Sequence, residues 1–321
     1  MNVAARLPWP HDLKPLMLAP MQGLTNRGLR SLFIEWVRPD LVFTELIRVR
    51  PGSRRSLSMA DAAEIAAHEY EVPLVAQLIG SEPTALMDAA MAVQEQGINH
   101  LNLNLGCPFG RMTAKSAGGG LLKNPVRLEE ILRSLRQAVA GSLSIKMRSG
   151  YEDPQQIFTL IPLFEDTGVE FLILHPRTVL QRYGGQADHS LTRQAVDMTR
   201  LPIIANGDIT TAAIGKKILH ITGAAGLMLG RAAIGDPMLF ERMRGRAPAV
   251  PTPQDKAADL RYYLSQLLQR YQKIFCGDMQ VLCKLKAVMS FMTDPCLRKS
   301  MKELRRCRNL DTFSRLLANI G

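Results

Sequence analysis

Short apolar runs punctuate the first three quarters of the chain, at residues 16–19, 41–44, 74–78, 100–104, 144–148, 171–175, 203–206 and 227–230. Each is too brief for a helix and rich in Leu, Ile or Val, the mark of a buried strand. Between the runs, apolar residues recur at three- and four-residue steps, as in Leu128, Ile131, Leu132, Leu135 and Val139, the spacing of one helix face. Strands alternating with helices predict βα units and a parallel sheet. Eight units in a span close to the ~250 residues of a (β/α)8 barrel predict an α/β TIM barrel over residues 1–245. A doubly wound open sheet is the alternative. It more readily carries a Gly-x-Gly-x-x-Gly turn, and the chain has none.

The pattern changes after residue 245. Pro248, Pro251 and Pro253 mark a linker, and residues 255–272 and 279–292 then read as helices. Leu260, Tyr263, Leu264, Leu267, Leu268 and Tyr271 share one helix face. Asp294-Pro295 interrupts, and a basic helix follows from Leu297, so residues 246–321 predict a C-terminal all-α helical bundle. Cys276 and Cys283, seven apart, are expected on one buried helix face. The five cysteines show neither a disulfide framework nor the paired spacing of a zinc site. The first fifteen residues contain three prolines and no apolar signal-peptide core, and no run reaches the ~18 apolar residues of a membrane span. A cytoplasmic protein without metal or membrane is expected.

Charge sharpens the division. The net charge is +11 and the pI about 9.7. From Glu241 onward sixteen Lys or Arg stand against seven Asp or Glu, whereas the preceding residues hold 24 against 22. The excess belongs to the tail and predicts a polyanionic partner. Nucleic acid is favoured over a membrane surface, because no amphipathic anchor with aromatic flanks is present.

In a parallel barrel the loops after the strands form the active face. Gln77, Asn104, Cys107, Lys146, Arg148, His175, Arg177, Asn206, Asp208 and Arg231 all lie at or just beyond strand ends. Singly, each has a bland reading: Gln77 as a strand cap, Asn206-Gly207-Asp208 as a turn, His175 as a satisfied histidine. Their recurrence in unit after unit predicts a polar ligand. Asn206-Gly207-Asp208 and Gly230-Arg231 stand after strands seven and eight, where barrels often grip phosphate. Lys146 suits a ring that becomes anionic on reduction, and Ala19-Pro20-Met21 with Gln77 suits the edge and face of a flat heterocycle. FMN meets both demands, although the spacing alone admits a sugar phosphate equally.

Several motifs resemble the tRNA-dihydrouridine synthases. They are Ala19-Pro20-Met21-Gln22-Gly23, Thr44-Glu45, Ala76-Gln77-Leu78-Ile79-Gly80, Asn104-Leu105-Gly106-Cys107-Pro108, Ala117-Gly118-Gly119-Gly120-Leu121-Leu122, Lys146-Met147-Arg148, His175-Pro176-Arg177-Thr178, Ala205-Asn206-Gly207-Asp208 and Gly230-Arg231. The match is collinear from about residue 16 to 245, and the tail is similar to that family's RNA-binding domain in character and position. The Asn-x-Gly-Cys-Pro element with its downstream glycine run is the most specific part; other FMN barrels share the remainder. The resemblance implies a flavoenzyme that uses NADPH to reduce the C5=C6 bond of a uridine in tRNA, with Cys107 protonating C5 as hydride reaches C6. It assigns FMN to Pro20, Met21, Gln22, Gln77, Lys146, His175, Asn206, Gly207, Asp208, Gly230 and Arg231, and the uracil to Asn104 and Arg148, with Arg177 a further substrate-contact candidate. A monomer is expected. Two positions depart from the family pattern: Asn102, where an acidic residue is frequent, and Pro176, which removes a backbone N–H.

A cysteine thiol is largely protonated at neutral pH, so the residue type suits an acid, with an activated thiolate the opposite reading. The competing functions are a flavin barrel acting on a free pyrimidine, similar to the dihydroorotate and dihydropyrimidine dehydrogenases, a Schiff-base barrel using Lys146, and a non-catalytic tRNA binder. The first leaves the basic tail unexplained. Cutting the chain near Ala249 is expected to leave flavin bound and to weaken tRNA binding.

Overall fold

The apolar runs close into a barrel in the computed structural model, which describes residues 7–52, 55–66, 68, 70–108 and 116–320. Its strands are β1 (Leu16–Leu18), β2 (Val42–Phe43), β3 (Ile47–Arg48), β4 (Leu74–Ile79), β5 (His100–Leu105), β6 (Leu143–Gly150), β7 (Phe171–Thr178), β8 (Ile203–Asn206) and β9 (Gly226–Leu229). All pairings are parallel, in the order β1-β9-β8-β7-β6-β5-β4-β2. A bridge between Met17 and Leu41 closes the ring, with the Leu18 N–H donating to the Leu41 carbonyl at 3.0 Å. The eight expected strands are all present. The two-residue β3, paired to β4, is too short to show any period in sequence.

Outside the ring lie α1 (Arg27–Val37), α2 (Met59–Ala66), α3 (Pro83–Glu95), α4 (Pro125–Ala138), α5 (Gln156–Asp166), α6 (His189–Met198), α7 (Ala212–Thr222) and the single turns α8 (Arg231–Gly235) and α9 (Leu239–Met243). The helix α4 shows why such segments fold as they do. Pro125 opens it, the Asn124 side chain accepts the Arg127 N–H at 3.0 Å, and Leu128, Ile131, Leu132 and Leu135 form its buried stripe.

Alternation along the strands fills the barrel in two layers. Trp9, Met17, Leu41, Phe43, Val75, Phe171, Ile173, Ile204 and Met228 form an apolar plug, with the Trp9 ring edge-on to Phe171 at 4.8 Å. Toward the strand ends the inward positions turn polar. Gln77 stands beside Asn102, Asn102 beside Ser144, and Asn104 beside Lys146. Pro176 is accommodated at an irregularity, where β7 carries one more residue than β6 between the pairs Arg148–His175 and Gly150–Thr178. A bulge is where a strand tolerates a residue that cannot donate.

The tail comprises α10 (Pro253–Ile274), α11 (Asp278–Met289), α12 (Arg298–Arg306) and α13 (Leu310–Ala318). A reciprocal cap between Thr252 and Asp255, with Pro253 in the first turn, starts α10. One continuous core joins Leu29, Phe33, Ile234 and Phe240 of the barrel to Leu260, Tyr263, Leu264, Leu285, Met289 and Phe313 of the tail. A cut near Ala249 would therefore strip an apolar wall from the barrel. Cys276 and Cys283 are also corrected, since both are exposed. The buried stripe of α11 is Val281, Leu282, Leu285, Val288 and Met289. No helix among the described residues is long and apolar enough to cross a membrane.

Candidate active site

The polar layer of the barrel is a hydrogen-bonded network. The Gln77 amide donates to Asn102 Oδ1 at 2.8 Å, the Asn102 amide donates to Ser144 Oγ at 2.8 Å, and the Asn104 amide donates to Gln77 Oε1 at 3.0 Å. All four side chains are buried. Buried amides are costly unless paired, and the chain of partners fixes which way each one points. Asn102, the position that departs from the family pattern, is the centre of this network rather than a pocket residue.

The network ends on the loop that carries the thiol. Asn104 Oδ1 accepts the backbone N–H groups of Gly106 and Cys107 at 3.0 and 2.9 Å, while Arg148 Nε donates to the Gly106 carbonyl at 3.0 Å. Cys107 is thus held by β5 from one side and β6 from the other. It is 8% exposed, packs with Ile79 and Ala117, and lies within electrostatic reach of Lys146 and Arg148.

A cavity of about 690 Å³ opens at the strand ends, within the ~300–1,000 Å³ common for ligand sites. Pro20, Met21, Lys146, His175, Asn206, Gly207, Asp208, Gly230 and Arg231 line it. Gln22 and Gln77 do not: the first turns its amide to Glu45 at 3.0 Å and the second lies in the buried network. Cys107, Asn104, Arg148 and Arg177 are not among its lining residues either.

The cavity carries both signs: Asp208, Asp236 and Asp294 line it and pair with Arg177, Arg242 and Lys256, while Lys146 and Arg231 make its barrel side receptive to negative charge. Burial, reinforced by Arg148, lowers Lys146 to about 8. Burial together with Lys146, Arg148, Arg177 and Arg231 pushes His175 far below its ordinary range, so the ring is neutral at pH 7. Arg177 donates to His175 Nε2 at 2.9 Å; an arginine only donates, so the ring's proton sits on Nδ1. Burial lowers Arg148 to about 10, which leaves it charged at neutral pH.

The Arg177 side chain is engaged within the protein. Its side chain is 3% exposed. It donates to His175, to both oxygens of Asp208 at 3.1 and 2.8 Å, and to the carbonyls of Gly184 and Gly185 at 3.2 and 2.7 Å. All five N–H groups are used. Burial by itself would raise the Asp208 carboxyl, but these bonds, the Ala187 N–H and the Arg231 charge hold it below its usual value. The pair braces the loop after β7, whose Tyr183 lines the cavity with Arg231 4.8 Å and Arg148 5.4 Å from its ring centre. Sequence reading missed Tyr183; the available signal was an aromatic between Arg182 and Gly184-Gly185 in a loop after a strand.

The chemistry of this donor set fits a flat anionic cofactor such as FMN. A cation of lowered pKa, a neutral imidazole and a half-exposed guanidinium face one space, and Asn206, anchored by donating to the Met228 carbonyl at 2.8 Å, leaves its own oxygen as an acceptor. Gly207 sits at φ +116°, and a Cβ there would lie 2.7 Å from the His175 ring, so backbone reaches the cavity only without a side chain.

Residues 17–309 match the family model described as dihydrouridine synthase (Dus). The chain belongs to the dihydrouridine synthase family. It is 33% identical to the tRNA-dihydrouridine synthase B of Vibrio parahaemolyticus serotype O3:K6 over 230 residues, 71% of this chain and 70% of that protein. It is 32% identical to the tRNA-dihydrouridine synthase B of Escherichia coli K12 over 232 residues, 71% of each. The probable tRNA-dihydrouridine synthase of Rickettsia conorii is 34% identical over 236 residues, 71% of this chain and 69% of that one. Among solved structures, histamine dehydrogenase from Rhizobium sp. 4-9 aligns with a TM-score of 0.59 at 12% identity, covering 84% of this chain and 51% of that one. At that identity the likeness shows the barrel fold alone. In this dihydrouridine synthase, Asn104, which holds the thiol loop, pairs across the sheet with Lys146, which lines the cavity.

Proposed function

We propose that this dihydrouridine synthase reduces the C5=C6 bond of a uridine in tRNA, with FMN as its cofactor and NADPH as the reductant. The carrying observation is the pinning of the Cys107 loop by Asn104 and Arg148, with Asn104 paired across the sheet to Lys146 in the wall of the cavity. FMN held there would supply hydride to C6 of the uracil. The remaining work falls to the chain. As negative charge builds at C5 and O4, Cys107 delivers the proton to C5. Arg148 uses Nε and one terminal nitrogen to brace loops; its other terminal nitrogen, without a hydrogen-bond partner among the described residues, is the group assigned to the uracil. Asn104 is assigned to holding the thiol, Arg177 to holding Asp208 and the Tyr183 loop. Lys146, His175, Asn206, Gly207, Gly230 and Arg231 are assigned to the cofactor, with Pro20 and Met21 as its wall.

Extracting the base from a folded RNA costs about a few kcal/mol. Exposed Arg298, Lys299, Lys302, Arg306, Arg308 and Arg315 on and around the last helices offer phosphate contacts that offset this cost. They also weigh against a free pyrimidine as substrate. Mapping dihydrouridine in tRNA from cells with and without this chain tests the proposal. Loss at a defined uridine is the expected result; an unchanged map, with turnover of free uracil or dihydroorotate, would favour the other reading. Parallel assays with NADPH and NADH decide the reductant.

A further inference from the structure

The cavity is not built by the barrel alone. Ser290, Phe291, Thr293 and Asp294, all from the tail, line it together with Lys146, His175 and Arg231. Two contacts bind the tail to the loops that form the cavity wall. At residues 20–23, Lys284 of α11 donates to the Gly23 carbonyl at 3.4 Å, while the Gly23 N–H and the Gln22 amide donate to Glu45 Oε2 at 2.8 and 3.0 Å. At residues 230–235, the Tyr263 hydroxyl of α10 donates to the Ile234 carbonyl at 3.1 Å. A Cβ at Gly235 would stand 2.3 Å from the Phe291 carbonyl oxygen, so the tail backbone lies directly on α8.

We propose that the C-terminal bundle is a wall of the cofactor site, in which Lys284 and the Phe291 backbone are positioning groups for the loops carrying Pro20, Met21, Gly230 and Arg231. Charge and geometry favour this arrangement. Glu45 Oε1 is buried with no hydrogen-bond partner among the described residues. Burial raises its carboxyl, and Lys284 opposes that rise. Gly23 is therefore held between an anion that takes its N–H and a cation that takes its carbonyl. Removing the cation leaves Glu45 less compensated and frees one side of the loop. The same bundle carries the exposed cations expected to meet RNA.

This inference rests on the FMN reading, and the test separates the two. FMN affinity of the full-length apoprotein is titrated by quenching of flavin fluorescence, below the melting transition of every variant, for wild type, Lys284→Met, Lys284→Arg, Glu45→Gln and Gly235→Ala. Lys284→Met and Glu45→Gln are expected to weaken FMN about fivefold, and Lys284→Arg to restore most of the loss, because it keeps a donor and a charge. Gly235→Ala, which displaces the Phe291 carbonyl, is expected to weaken FMN as well. Wild-type protein that binds no FMN would overturn the cofactor reading. Wild-type protein that binds FMN, with Lys284→Met and Glu45→Gln binding it equally well, would overturn the tail-wall proposal alone.

Discussion

Asn104 and Cys107 are joined by a 2.9 Å hydrogen bond in which the asparagine oxygen accepts the cysteine backbone N–H. The same oxygen takes the Gly106 N–H, and the same side chain donates to Gln77. One amide thus ties the thiol loop to the floor of the site. Asn104→Ala removes both accepted bonds and leaves Gln77 Oε1 without its donor. A loss of about 2 kcal/mol in urea unfolding is expected, together with slower turnover and near-normal FMN affinity. Unfolding and flavin titrations on the same preparation check this.

Lys146 carries a pH signature. Its folded pKa, about 8, lies below the ordinary lysine value. Below pH 8 both folded and unfolded states hold the proton, and the burial cost is present in full. Between about 8 and the ordinary value near 10.4 the unfolded chain still binds a proton that the folded chain has released, so this group makes stability rise with pH. Urea midpoints of apoprotein on both sides of this window should show the rise in wild type relative to Lys146→Met. FMN affinity should move the opposite way, weakening as the ammonium is lost.

Arg177→Met should leave the Asp208 carboxylate without its bidentate partner and the carbonyls of Gly184 and Gly185 without donors. Because Asp208 is one-third exposed, the stability loss is expected to fall below that of a fully buried broken pair, at about 2 kcal/mol. The loop after β7 should become the first site of proteolytic cleavage. Unaltered cleavage kinetics would argue that this pair does not brace the loop.

Replacing Lys299, Lys302 and Arg306 together by Gln should weaken tRNA binding at low salt. It should also flatten the dependence of log affinity on log salt by about 2 units of slope, as expected for the loss of phosphate contacts. An unchanged slope would place the RNA elsewhere on the chain.

The strands were legible because each is a four- or five-residue run in a chain whose intervening helices keep a clean period. The polar strand ends were legible for the same reason: once Asn104, Lys146, His175 and Asn206 are placed on strands, alternation dictates that they face inward together. Pairings across the fold were not legible. Nothing local ties Arg177 to Asp208, Gly23 to Glu45 and Lys284, or Gly235 to Phe291. Each contact depends on how the ring closes and how the tail lies on it. The heptad spacing of Cys276 and Cys283 carried no sign of which side of the tail faces water. Gln22 matched the family motif by sequence, yet its amide is turned to Glu45.

The most direct test is the anaerobic reoxidation of reduced enzyme by tRNA that lacks dihydrouridine, followed in a single turnover for wild type and Cys107→Ala. Both proteins should hold flavin, and the variant should transfer its electrons at least about 100-fold more slowly, as expected when a positioned acid is removed. Equal rates in the two proteins would contradict the assignment of the proton to Cys107.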